Sequence, residues 1–156
     1  MNATPADVPF VWIALLVVSA SVFGVVLSLP GAPPPDAERV AVVVDDVAAT
    51  EHAAAAVIPL DATSIHLSRD DVALRGPGGT AHASLLYGPV TPVPRDGDLA
   101  RVARGAPPEY VFATPEQFEH ALHEARSAEP AWAAAGEQLY VRRVTYEGVD
   151  GVLLGQ

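Results

Sequence analysis

The chain contains no cysteine among its 156 residues, and lysine is absent too. Without cysteine there are no disulfides, thiolate nucleophiles or Cys-ligated zinc sites. All nine basic residues are therefore arginine, against 19 aspartates and glutamates, which gives a net charge of −10. An acidic surface repels phosphate backbones, so we expect no nucleic acid partner.

Almost all of the charge lies after residue 35. Asp7 is the only acid before Asp36, so residues 36–156 carry nine arginines against 18 acids, a net of −9. Strong negative charge, no lysine and few aromatics resemble the proteins of extreme halophiles, in which carboxylates keep the surface hydrated in concentrated salt. The alternative is an ordinary acidic protein from a GC-rich genome.

The longest apolar run is Phe10–Leu29, which holds no charged residue and lies between Pro9 and Pro30. A helix of 20 residues is about 30 Å long, which matches the hydrocarbon thickness of a bilayer. We therefore predict a transmembrane helix and a single-pass protein of the cell membrane, with the lipid bilayer as a partner. Only Arg39 lies near the span, so the side of the membrane that the domain faces stays undetermined.

A secretory signal is the alternative to an anchor. The first nine residues have no basic residue, and the apolar run exceeds the 7–15 residues of a signal core. These features favour an uncleaved anchor over cleavage near Ala32. Ala20, Gly24 and Ser28 recur every four residues, a spacing that lets two helices approach closely in lipid. They are the candidate residues for packing against the helix of a membrane-protein partner or of a second copy, although small residues are also common in membrane helices that do not pair.

These observations divide the chain into four parts. They are a short N-terminal segment (1–9), the transmembrane helix (10–29), a proline-rich linker (30–35) and an acidic domain (36–156). The linker should be extended, because prolines exclude a helix there. The domain is large enough for one core.

Three helices are expected in the domain. Asp36 can cap a helix that runs to about Ala49, with an apolar stripe of valines. A short helix is predicted over Asp96–Arg104, with Leu99 and Val102 facing inward. Thr114-Pro115-Glu116-Gln117 has the pattern of a capping box, and it starts a helix that runs to about Ser127.

Alternating residues predict strands elsewhere. A meander of three short antiparallel strands is expected between Ser64 and Tyr87, and a hairpin joins Leu139–Tyr146 to Val149–Leu154 across Glu147 and Gly148. The alternation changes phase near Arg142, which predicts a bulge. The fold class is therefore α+β, with helices packed on one face of an antiparallel sheet.

Candidate chemical sites are weak. His120 and His123 lie three residues apart on a helix but face away from its apolar stripe, so a metal site is not predicted. His66 and His82 lie on the polar faces of two strands and lack a third ligand. Arg142 and Arg143 point to opposite faces of a strand and cannot form one anion clamp. We predict no catalytic, cofactor-binding or metal-ligating residue, and Asp45 is expected to face solvent.

Several segments resemble a family of small uncharacterised membrane proteins of halophilic archaea. The resemblance is carried by the end of the apolar span at Ser28-Leu-Pro30, and by the segments beginning at Gly79 (GTAHA), Tyr87 (YGPVTPV) and Val141 (VRRVTYEGV). It covers nearly the whole length. Members of that family look like accessory parts of type IV pilus-like or secretion-like assemblies, so the resemblance implies work in the cell envelope and no known activity.

The sequence therefore predicts a membrane-anchored, non-enzymatic accessory or interaction protein of the haloarchaeal cell envelope, in a pilus-like or secretion-like assembly. One alternative is a membrane-tethered hydrolase with an unrecognised site. Another is an exported soluble binding protein released by signal cleavage.

Overall fold

The computed structural model describes residues 13, 15–16, 18–19 and 32–156. Residues 32–156 form one compact unit. Its strands are β1 (Ala54–Pro59), β2 (Ser64–Leu67), β3 (Asp71–Gly76), β4 (Gly79–Ser84), β5 (Thr91–Pro92), β6 (Trp132–Ala134), β7 (Gln138–Tyr146) and β8 (Val149–Gly155). Its α-helices are α1 (Ala37–Ala49), α2 (Asp98–Ala103) and α3 (Pro115–Ser127), and a 3-10 helix spans Pro108–Tyr110.

The strands form two four-stranded sheets, which confirms the α+β class but replaces the single predicted sheet with two. Sheet A has the order β1-β7-β8-β5, and sheet B has the order β4-β3-β2-β6. All neighbouring strands are antiparallel except β5 and β8. The predicted hairpin is β7–β8, and Glu147 and Gly148 both have positive φ, at 45° and 90°, as a tight hairpin turn requires.

Helix α1 packs against both sheets and forms the first core with them. Asp36 caps the helix by accepting a hydrogen bond of 2.9 Å from the Arg39 backbone N–H, as predicted. Val40, Val44 and Val47 are buried in a cluster with residues of β2, β3, β7 and β8. The β-branched valines lower intrinsic helix propensity, so this packing supplies the stability of α1.

Helices α2 and α3 cover the opposite face of sheet A. Leu99 and Val102 of α2 and Phe118 and Leu122 of α3 are buried in a second cluster with residues of β7 and β8. Gly151 permits the close approach of α3, because a Cβ there would lie 3.0 Å from a Leu122 methyl carbon. Helices therefore lie on both faces of sheet A, and the prediction that they occupy one face was wrong.

The predicted bulge near Arg142 was also wrong. Strand β7 pairs with β1 and β8 in a continuous register through Arg142 and Arg143. The apolar alternation changes phase because the first half of β7 buries Leu139 and Val141 in the first core, whereas the second half buries Val144 in the second. A strand covered on both faces needs no bulge to change its buried side.

The structure corrects the expected orientation of Asp45. Its carboxylate on α1 accepts hydrogen bonds from the backbone N–H groups of Leu86, at 2.9 and 3.1 Å, and Tyr87, at 3.0 Å. Asp45 therefore ties the segment after β4 to the helix. The Ala32–Pro35 segment is neither helix nor strand, and it packs against the β3–β4 turn, because a Cβ at Gly78 would collide with the Ala32 carbonyl oxygen.

The predicted transmembrane segment falls mainly outside the described residues. Its five described residues, namely Ile13, Leu15, Leu16, Val18 and Ser19, are helical and exposed. Ala20, Gly24 and Ser28, the predicted packing stripe, lie outside the described part of the chain. Among the residues that are described, no helix has the length and hydropathy needed to cross a membrane.

Candidate functional site

A wide cleft of the described domain opens between the two sheets. Its volume is about 690 Å³, within the range of ligand-binding pockets. Its floor includes Ile65 and Leu67 of β2, Ala133 of β6 and Val93 after β5, and the C-terminal end of α3 closes one side. The cleft therefore combines an apolar floor with walls from both sheets and a helix.

Arginines concentrate at this cleft although the domain is strongly acidic. Three of the nine arginines line it, namely Arg69, Arg95 and Arg126, together with the carboxylates Asp70 and Glu129. Within residues 32–156, no carboxylate oxygen lies within 4.0 Å of any of these three guanidiniums. The cleft is thus a cationic spot on an acidic surface, and its cations are not neutralised by contact ion pairs among the described residues.

Arg126 is held in place by a buried threonine. Its Nε donates a hydrogen bond of 2.8 Å to Oγ1 of Thr91, and Thr91 is fully buried in β5. Burial lowers the pKa of Arg126, and the nearby charge of Arg69 lowers it further. Because Nε is occupied, the two terminal nitrogens remain to bind an anion in the bidentate manner that arginine prefers.

Arg69 and Arg126 come from different parts of the fold. Arg69 lies in the exposed turn between β2 and β3, and Arg126 lies in the last turn of α3. The Arg69 carbonyl accepts a hydrogen bond of 3.1 Å from the Val90 N–H, which fixes the turn beside β5. Two like charges repel each other, so their placement at one cleft costs free energy that a bound anion would offset.

Arg95 has a different role, because it bridges the sheets. Its Nη2 donates to the Ala134 carbonyl oxygen of β6 and to Oε1 of Gln156, the latter at 3.0 Å. The same Gln156 oxygen accepts a hydrogen bond from the Gly136 N–H. This network fixes one end of the cleft, so Arg95 holds β6 beside the C-terminal end of β8.

Strand β6 presents a free edge at the rim of the cleft. Ala135 N–H donates to the Thr63 carbonyl at 3.0 Å, so alternation along the antiparallel pair directs the backbone groups of Ala133 towards β2. The N–H and C=O of Trp132 and Ala134 then point away from β2. Arg95 reaches the Ala134 carbonyl from that side, which places the free edge on the side of the cleft.

The outer face of sheet B carries an aromatic and charged cluster around Trp132. The guanidinium of Arg75 lies 4.2 Å from the centre of the indole, and the His66 ring lies 5.5 Å from it. Nδ1 of His66 is 3.7 Å from a carboxylate oxygen of Asp71. Ala73 pairs with His66 across β2 and β3 and is only 1% exposed, so larger neighbours shield this small residue from solvent.

The histidines take the surface positions that the sequence indicates. His120 and His123 are exposed on α3, and His120 lies 3.6 Å from Glu124. His66 and His82 occupy the same row of sheet B with Ala73 between them, so their backbones are on the order of 10 Å apart. Among the described residues, no three potential ligands are grouped to hold a metal ion.

Arg142 and Arg143 hydrogen-bond to carbonyl groups at the ends of helices α2 and α1. Arg142 donates to the carbonyl oxygens of Val102, at 2.5 Å, and Ala106, at 2.8 Å, whereas Arg143 donates to Ala48 at 2.6 Å. They point to opposite faces of sheet A, as expected. Sequence reasoning missed Arg69 and Arg126, because each has an ordinary local explanation, one in a turn and one at a helix C-terminus.

The fold defines the structural class of this protein as an α+β domain with two sheets and a cationic cleft between them. Residues 3–144 match the model of a Family of unknown function (DUF7283), and the chain belongs to that family. No curated protein and no solved structure matches the chain significantly. The match includes both the apolar segment and most of the domain.

Proposed function

We propose that this protein is a membrane-tethered, non-enzymatic interaction protein, whose domain holds a partner in the cleft between sheets A and B. The observation that carries the proposal is the cleft itself, with its apolar floor and its arginines free of contact ion pairs within residues 32–156. Apolar area supplies affinity and a few placed charges supply orientation, which is the general composition of a binding site.

The proposed tether is the apolar segment Phe10–Leu29. It is supported by its length and lack of charge, by the exposed helical residues Leu15, Leu16 and Val18, and by the family match, which covers residues 3–144 and so includes the segment together with most of the domain. The net charge of −9 on residues 36–156 supports a halophilic host, because carboxylates favour hydration in concentrated salt. The proposed setting is a pilus-like or secretion-like assembly of the cell envelope.

Membrane fractionation tests the tether. The double variant Leu16→Asp/Val18→Asp should move from the membrane pellet to the soluble fraction, because each charge at the centre of a span costs about 2.5–3.5 kcal/mol. Leu86→Asp is the matched control, since this side chain is 83% exposed and lies in the domain; it should remain in the pellet. Wild-type protein in the soluble fraction would contradict the tether and favour the exported binding protein.

Site-specific photocrosslinking in native membranes tests the cleft. A photoreactive residue at Ala128, which lines the cleft, should give one discrete crosslinked product of defined mass. The control position is His123, which is exposed on α3 near Ala128 in sequence but is not part of the cleft lining, and it should give none. Equal crosslinking at both positions, or none at either, would contradict binding in the cleft. Turnover of a generic ester substrate by purified protein would favour the tethered hydrolase instead.

A further inference from the structure

We propose that the cleft binds an extended acidic peptide segment of a partner, which adds as a strand to the free edge of β6 and places a carboxylate against Arg126 and Arg69. This inference rests on the proposed interaction function and specifies the chemistry of the partner. It combines three separate features of the cleft: an unpaired strand edge, two guanidiniums and an apolar floor.

The strand edge provides the backbone contacts. The N–H and C=O of Trp132 point away from β2, and within residues 32–156 they make no further backbone hydrogen bond. An added strand can pair with these groups, which is how β-augmentation obtains affinity. The facing wall, formed by Pro92 and Pro94, has no N–H to donate at either position, so pairing is directed to β6.

The side chains of an added strand alternate between its two faces, and this alternation suits a cleft that has both arginines and an apolar floor. Every second side chain of the peptide would point into the cleft, since side chains alternate between faces. Ala133 and Ile65 are paired on β6 and β2 and both line the floor, which suits a small apolar side chain. The next inward side chain reaches the arginines, which suits a carboxylate.

The arginines are positioned for this task before binding. Thr91 fixes Nε of Arg126 and leaves its terminal nitrogens available, and Arg69 adds a second charge at the same cleft. The rest of the domain is acidic, so an acidic peptide is repelled from most of the surface and attracted here. A peptide without acidic side chains would leave two adjacent cations unpaired.

Fluorescence anisotropy with a defined probe tests the proposal on the full chain in detergent, at the salt concentration in which circular dichroism shows it folded. The probe is an eight-residue, terminally blocked peptide with an uncharged dye. Threonine occupies every second position, and glutamate and valine alternate in between. Arg126→Gln and Arg69→Gln should each weaken binding about 10-fold to 100-fold, the value of a charge-assisted hydrogen bond. Replacing the glutamates of the probe by glutamine should weaken its binding to the wild-type protein by a similar factor.

Matched controls separate this geometry from simple charge attraction. Arg101→Gln makes the same charge change on exposed α2 outside the cleft and should leave the affinity within about twofold. Two N-methylated probes provide a second control, one methylated at the threonines and the other at the remaining positions. Their affinities should differ at least 10-fold, because only one of the two sets of backbone N–H groups faces β6 and is needed for pairing. Arg69→Gln changes an exposed residue, so it tests the cleft even if the Arg126 variant folds poorly.

Several results would overturn the strand proposal. The first is equal affinity for the two N-methylated probes, and the second is an Arg69→Gln variant that binds the peptide probe as tightly as the wild type does. The third is binding of free glutarate, or of vesicles with an anionic headgroup, as tight as binding of the peptide probe. In each case the crosslink at Ala128 in membranes can still form, which would leave the interaction function intact with a ligand of another kind. Loss of that crosslink with retained peptide binding would instead contradict the function in the cell envelope.

Discussion

Removing either arginine at the centre of β7 should destabilise the domain, and the two effects should be independent. Arg142 donates to two carbonyls, of Val102 and Ala106, and Arg143 donates to one, of Ala48. A hydrogen bond to a charged group contributes about 1.5–3 kcal/mol, and the two bonds of Arg142 come from one nitrogen and share one charge, so together they contribute less than twice that value. Methionine keeps most of the apolar stem and removes the guanidinium. We expect a loss of about 1.5–2 kcal/mol for Arg143→Met and about 2–3 kcal/mol for Arg142→Met.

The free energy of unfolding can be measured by urea denaturation of the full chain in detergent, because urea leaves the ionic strength unchanged. The free energy of unfolding of the double variant should be about 4 kcal/mol below that of the wild type. The two effects should add, because the two side chains contact different helices on opposite faces of the sheet. Arg101→Met removes an exposed arginine that forms an exposed ion pair with Asp98, and it should change stability by less than about 0.5 kcal/mol. A coupling energy well above 0.5 kcal/mol, or an Arg143 variant as stable as the control, would refute the two-faced arrangement.

Two further outcomes follow from single contacts. Asp45→Ala should lower the free energy of unfolding by about 1 kcal/mol and speed hydrogen exchange at the Leu86 and Tyr87 amides, which Asp45 holds; unchanged exchange there would contradict the contact, and Asp46→Ala, on the exposed face of the same helix, is the control. The pKa of Glu116 lies below its ordinary value, because hydrogen bonds from the Thr114 hydroxyl and from its own backbone N–H favour the carboxylate. The carboxylate therefore stabilises the fold at pH values above the pKa that Glu116 has in the unfolded chain. This stabilisation is lost as the pH falls through the lower pKa of Glu116 in the folded chain. Glu116→Gln should remove that acid-dependent part of the urea midpoint, and an identical pH profile in both proteins would contradict it.

Local signals in the sequence predicted the elements that depend on local chemistry. The cap at Asp36 and the capping box at Thr114 each place a helix start correctly, and Oε1 of Gln117 reaches back to the Ala113 N–H at 3.2 Å. The Glu147–Gly148 turn fixes the β7–β8 hairpin. These features satisfy backbone groups within a few residues, so their patterns are readable without the tertiary structure.

Features that depend on distant partners were not predictable in this way. Strand β1 is an alanine-rich segment without clear alternation, and its identity follows from pairing with β7. Strands β5 and β6 have two and three residues, too few for a periodic signal. The cleft needs β5, β6 and the end of α3 together, so its arginines could be recognised only once the topology brought Arg69 beside Arg126.

The position of β8 also constrains how the polypeptide acquires its structure during synthesis. This strand is formed by Val149–Gly155, yet it lies between β5 and β7 in the sheet, and Leu153 and Leu154 are fully buried on its two faces. Translation delivers these residues after every other element of the domain. Sheet A can therefore be completed only after nearly the whole domain has been synthesised, and until then the apolar residues that pack against β8 lack their partner.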